Sequence, residues 1–205
     1  MTRQTLSQRK RAAIVEAAVL ELRDKGFQAM SMDALAARAE VSKRTVYNHF
    51  ASKDLLFQEI AKLIFAQSNE VTAIRYQADQ SIASQLTDYG RNELELLKSP
   101  RFRDLCRVMI AECIHSPQLA AEAMLKFAEQ EQTLDQWIAD AVADGKLKPV
   151  DANYAATQFH GLIKAQAFWP QLLMGQPFPD DTVCEQIISD AVMMFIGHYT
   201  QANQS

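Results

Sequence analysis

The sequence predicts an all-α fold of about nine helices. Three observations carry that expectation. Apolar residues recur at helical spacing along the chain, with no sustained strand alternation. Ala, Leu, Gln and Glu, all good helix formers, dominate the composition. Gly and Pro number only six each, few for a β-rich fold with its many tight turns.

The elements follow in order. The first helix spans about 7–25, with Ile14, Ala17, Ala18 and Leu22 on one face. Lys25 in its last turn and Gly26 just beyond it form a matched C-terminal signal. Ser31 caps the next segment, MDALAARA, and Asp33 sits near the positive end of that helix dipole. After the turn AEVS, Ser42 caps a third short helix over about 43–50. Ser52 caps a long fourth one, with Leu55, Leu56, Ile60, Leu63 and Ile64 as its apolar stripe. Further helices are expected at about 80–98, 101–115, 117–144, 151–174 and 180–201. Pro100, Pro117, the break at 145–149 and the segment 175–179 separate them. Short connections leave no floppy linker, so the fourth helix is expected to join two parts rigidly.

A chain of 205 residues with 48% hydrophobic content suits one buried core, or a small module on a larger one. It shows no run of about 18 uncharged apolar residues that could span a membrane. The N-terminus is basic but lacks the apolar stretch of a secretory signal. Three cysteines, Cys106, Cys113 and Cys184, have no metal-ligand spacing, which suits reduced thiols in a cytoplasmic protein. The net charge of −4 conceals an asymmetry. Residues 1–53 hold ten Lys/Arg and five Asp/Glu, about +5; residues 54–205 hold eleven and twenty, about −9. A basic head on an acidic body points to an anionic partner for the head alone. Two domains are therefore expected: 1–53 for that partner, and 54–205 as an acidic all-α body.

Two short helices joined by a four-residue turn are the parts of a helix-turn-helix. Leu35, Ala36 and Ala39 on the first helix, Val41 in the turn, and Val46 and Phe50 on the second supply its apolar contacts. With Val46 and Phe50 inward, a turn of about 100° per residue places Arg44, Thr45 and Asn48 outward. Tyr47 and His49 fall on the flanks, and Lys43 lies at the exposed N-terminal end. Such a helix suits the major groove of double-stranded DNA, with its outer face on base edges and its flanks on phosphates. Lys43 and Arg44 would donate to guanine, Asn48 would pair with adenine, and Thr45 would touch a thymine methyl. Tyr47, His49 and Lys53, with the amides opening the fourth helix, would hold phosphates.

Residues 9–60 resemble the DNA-binding domain of the tetracycline-repressor (TetR) family of bacterial regulators. The resemblance rests on the basic first helix ending KGF, then SMDALAARAEVSKRTVYNHFASKDLL. Its core is Thr45, Tyr47, His49, Phe50 and Lys53 at the spacing T-x-Y-x-H-F-x-x-K. It implies dimers on a near-palindromic operator, with Lys43, Arg44 and Thr45 on bases and Tyr47, His49 and Lys53 on phosphates. Glu40 departs from the pattern, standing where the family usually has Gly; a positive φ there carries a backbone cost. The stretches RVMIAECIHSPQLAAEAM and DGKLKPVDANYAATQFHGLIKAQAF are similar to the branch typified by the AefR regulator.

Helices 151–174 and 180–201 are apolar around more than one stripe, so each needs partners on two sides. A homodimer through these two helices meets that need. Met109, Cys113, Met124, Phe127, Trp137, Phe159, Phe168 and Trp169 are candidates to line a pocket for a small apolar effector, though each also reads as plain core. His115, Gln158, His160 and Lys164 are polar groups that could orient such a ligand. No catalytic residue, cofactor or metal is expected. Cys113 and His115 diverge by about 200° on a helix, and no Gly-rich phosphate loop or nucleophile motif occurs. The expected function is a ligand-responsive transcriptional repressor. The alternative is an all-α ligand-binding or catalytic protein whose N-terminal helices are structural only. A non-specific architectural DNA binder is a third option, which the acidic body and single recognition helix disfavour.

Overall fold

A computed structural model of the chain describes residues 5–115, 118, 121 and 133–200. The described residues are helical with short connections, and their one β-bridge joins Leu147 to Thr200. None of the described helices is long and apolar enough to cross a membrane. The chain divides into two compact units, residues 1–66 with 101–129, and residues 67–100 with 130–205.

In the first unit, α1 (Leu6–Ala29), α2 (Met32–Arg38), α3 (Lys43–His49), the first part of α4 (Lys53–Thr72), and α6 (Pro100–His115) share one core. Thr5 and Gln8 close α1 with reciprocal bonds, the capping box of a helix start. Ser31, Ser42 and Ser52 accept from Ala34, Thr45 and Leu55 and so start α2, α3 and α4 as their sequence positions predict. Gly26, with φ 76 and ψ 168, breaks the helical path inside α1, and only glycine takes that conformation readily. Ile14, Ala18, Leu35, Val46, Leu56, Phe57 and Ile60 are fully buried. Leu105, Val108 and Met109 of α6 join the same cluster. Each of these side chains larger than alanine contributes about 1.5–3 kcal/mol by leaving water. The packing units thus differ from a division at residue 53: α6 lies beyond that point in the chain but in the core of the head.

In the second unit, α5 (Ile82–Lys98), α7 (Leu134–Ala143), α8 (Ala152–Ala167), α9 (Trp169–Met174) and α10 (Asp181–Tyr199) pack with the last turns of α4. Gly90 sets the approach of α5 to α10: a Cβ there would stand 3.2 Å from the Ile188 side chain. Trp137 fills the centre and donates from Nε1 to Gln85 Oε1 at 3.0 Å. Gln85 also donates to the Gln77 and Gln80 carbonyls, so one buried amide holds the connection before α5.

The expected helix over 151–174 is divided at Phe168, whose φ of −140 and ψ of −59 are not helical. Pro170 explains the break, because it has no N–H to offer Gln166 four residues back. Gln171 Nε2 donates to that carbonyl instead, at 3.3 Å. Of the helix expected over 117–144, the described part is α7.

Candidate nucleic-acid interface

The link between α2 and α3 is a Schellman turn: Val41 N–H bonds the Ala36 carbonyl and Glu40 N–H the Ala37 carbonyl. That turn demands a left-handed residue, and Glu40 supplies it with φ 53. The backbone penalty anticipated for a non-glycine residue here is therefore real, of about 1–2 kcal/mol.

Across α3, Val46 is fully buried and Phe50 nearly so, which orients the helix. Arg44, Asn48 and Tyr47 are exposed, while Thr45 and His49 are half-buried. The Thr45 hydroxyl lies 2.8 Å from the Ser42 hydroxyl at the helix start. Lys43 reaches back to Asp33 on α2 at 2.7 Å, and that hydrogen bond raises the Lys43 pKa. Lys53 turns inward: its ammonium donates to the Phe27, Gln28 and Met30 carbonyls at 3.1–3.4 Å and lies 5.1 Å from the Phe27 ring centre. A cation at a helix C-terminus is favoured by the dipole, so Lys53 caps α1 in the free head. Its run of neighbours in sequence gave no sign of this, because the partners are about 25 residues upstream.

Ion pairs brace the scaffold. Buried Glu21 accepts from Lys25 at 2.9 Å and from Arg38 at 3.0 Å, one on each carboxylate oxygen. Arg38 also bonds Asp24, holding that carboxyl below its ordinary pKa. Arg11 bridges to Glu59 on α4 and lies 4.8 Å over the Phe50 ring, joining three helices at the end of α3. Arg11's hydrogen bond keeps Glu59 ionised to lower pH. Among the described residues Arg9, Lys10 and Arg44 make no ion pair.

The residues considered for an apolar pocket fall in both units. Met109 and Cys113 belong to the first unit, Met109 in its core and Cys113 against it. Trp137 and Phe159 are 1% and 0% exposed, packed as core of the second unit. Phe168 stacks edge-on against Trp169, which is itself partly exposed. Met124 and Phe127 lie outside the described residues.

Among the described residues the second unit carries a groove, on the helices read as apolar on two sides, and a smaller cavity that the sequence did not indicate. A groove of about 740 Å³ runs between α8 and α10, lined by Leu162, Val183, Ile187 and Met194 among others. A smaller cavity of about 240 Å³ is walled by the last turns of α4 with α5, α7 and α8. Beneath it, buried Glu93 Oε1 accepts from His160 Nδ1–H at 2.9 Å and from Lys164 Nζ at 3.3 Å. Burial pushes the Glu93 carboxyl up, but the bonds and charges of His160 and Lys164 outweigh it and hold the pKa low. With Nδ1 donating, His160 Nε2 faces the Tyr89 hydroxyl at 3.4 Å.

Residues 14–60 match the model of bacterial regulatory proteins of the tetR family, and residues 84–201 that of the AefR-like transcriptional repressor C-terminal domain. The HTH-type transcriptional regulator UidR of Escherichia coli K12 is 30% identical over 156 residues, 75% of this chain and 76% of that protein. A crystal structure of a TetR family regulator from Pseudomonas syringae pv. tomato superposes with a TM-score of 0.83 at 41% identity, covering 96% of this chain and 100% of that one. The flavonoid-responsive regulator FrrA superposes with a TM-score of 0.72 at 26% identity, covering 96% and 99%.

Proposed function

The chain belongs to the tetR family of bacterial regulatory proteins, and we propose that it represses transcription as a dimer released from a near-palindromic operator by a small molecule. The observation that carries this is α3: exposed Arg44, Tyr47 and Asn48 stand over a buried Val46–Phe50 anchor, in a head with excess positive charge.

In this reading Lys43, Arg44, Thr45 and Asn48 meet base edges, while Tyr47 and His49 meet phosphates. Lys43 must exchange Asp33 for DNA, and Lys53 acts first as the tie between α4 and α1, with any phosphate contact shared from there. Dimerisation uses α8 and α10, whose groove and the exposed Met193 and Met194 leave an apolar face to cover. FrrA's response to flavonoids supports a small-molecule effector for this chain too. The effector binds the second unit and changes the spacing of two recognition helices that DNA needs about 34–36 Å apart. It lowers affinity only by binding better to the DNA-incompetent arrangement. No catalytic step is assigned, and the place of action is the cytoplasm, where bacterial DNA lies.

Selection from random double-stranded DNA at near-physiological salt tests this. An inverted repeat is the expected product. Salt-sensitive binding with no recovered motif would sink the sequence-reading role.

A further inference from the structure

We propose that the cavity above Glu93 binds the effector, and that the effector is a small cyclic polyol of monosaccharide size. This rests on the reading that a small molecule sets DNA affinity; the cavity itself supplies the chemistry. Its volume of about 240 Å³ is roughly eight times the ~30 Å³ share of one water in the liquid, which suits one hydroxylated ring.

The walls select hydroxyls. Asn69, Thr72, Asp135, Asn153, His160 and Lys164 line the space. They present amide and ammonium donors beside amide and carboxylate acceptors. A hydroxyl both donates and accepts, so a ring of hydroxyls can satisfy this mixture, whereas an apolar ligand would bury these groups without partners. Charge does not call for an ion either: Lys164 and His160 already face the Glu93 carboxylate.

Behind the wall, the carboxylate that holds His160 and Lys164 is only half used. Glu21 in the head has a cation on each oxygen. Glu93 directs both its partners to Oε1, and its buried Oε2 has no donor. A buried carboxylate left half-satisfied calls for an explanation. Here it orients His160 and Lys164 on the cavity wall. The cavity also touches the right lever. Ser68, Asn69 and Thr72 sit on the last turns of α4, the helix whose first residue, Lys53, is tied to α1.

The test uses the full-length protein and two readouts. Ligand-observed NMR measures binding of D-glucose, D-galactose, D-xylose and myo-inositol, with octanoate and indole as apolar probes. Operator release is measured separately with each. At least one polyol is expected to bind, and Asn153→Leu and Lys164→Met should each weaken it about tenfold or more. Asn153 is exposed, so its leucine variant keeps the fold. The site is overturned if no polyol binds, if only octanoate or indole binds, or if a bound polyol ignores both substitutions. Operator release by octanoate or indole would keep the ligand-released repressor and remove the polyol site. A polyol bound through Asn153 and Lys164 without effect on DNA would keep the site and remove its role as effector.

Discussion

Each unit of the molecule contains a buried glutamate bonded by two basic side chains, and the two are built differently. In the head, Glu21 ties Lys25 on its own helix to Arg38 on α2, and both its oxygens are used. In the second unit, Glu93 holds His160 and Lys164 on α8 with a single oxygen. The first arrangement is complete as it stands and fixes the angle of α1 to α2. The second leaves polar capacity over beside a cavity. Glu112 in the first unit likewise keeps a buried oxygen without a partner; what sets Glu93 apart is that the two side chains it holds, His160 and Lys164, line a cavity.

The largest test reaches the second unit through its apolar face. Met194→Lys, at an exposed position in the α8–α10 groove, should leave a folded monomer and reduce operator affinity by about 100-fold or more, since paired heads gain that much from linkage. Sedimentation and operator titration report on both. A variant that stays dimeric would move the interface elsewhere.

The two glutamates themselves come next. Glu21→Ala should destabilise the protein by about 1.5–3 kcal/mol, the scale of lost hydrogen bonds to charged groups. Glu93→Ala should cost less, because it also removes an oxygen buried without a donor. Urea unfolding followed by circular dichroism measures both, and an equal or larger loss for Glu93→Ala breaks the contrast.

Within the head, Arg44→Ala should cut discrimination between operator and random DNA by about 1–3 kcal/mol, with little effect on stability at this exposed site. Equal losses on both DNAs would remove its role as a base reader. Lys53→Met should instead lower head stability by about 0.5–2 kcal/mol through loss of the α1 cap. A change in DNA affinity alone would show that its carbonyl contacts are incidental. The smallest effect is a gain: Glu40→Gly relieves a φ of 53 and should raise the thermal midpoint by an amount equivalent to about 1 kcal/mol.

Much of the head was legible in advance because its signals are local. Ser31, Ser42 and Ser52 cap helices that begin one residue later, and Gly26 breaks the helix it follows in sequence. Even the strain at Glu40 could be read, since a glycine-type turn position carries its φ requirement with it. The division of 151–174 at Phe168 is marked in the sequence only by Pro170, because continuous apolar periodicity masks the missing N–H.

Sequence by itself determined the helical class, the order of the elements and the outward face of α3, because periodicity and capping act within a few residues. Tertiary structure decided which groups meet. Lys53 finds carbonyls at positions 27–30, Glu93 finds His160 and Lys164, and α6 enters the core of the head. A residue's type reports that it can bond or bury, and only the folded path of the chain decides which distant partner is within reach.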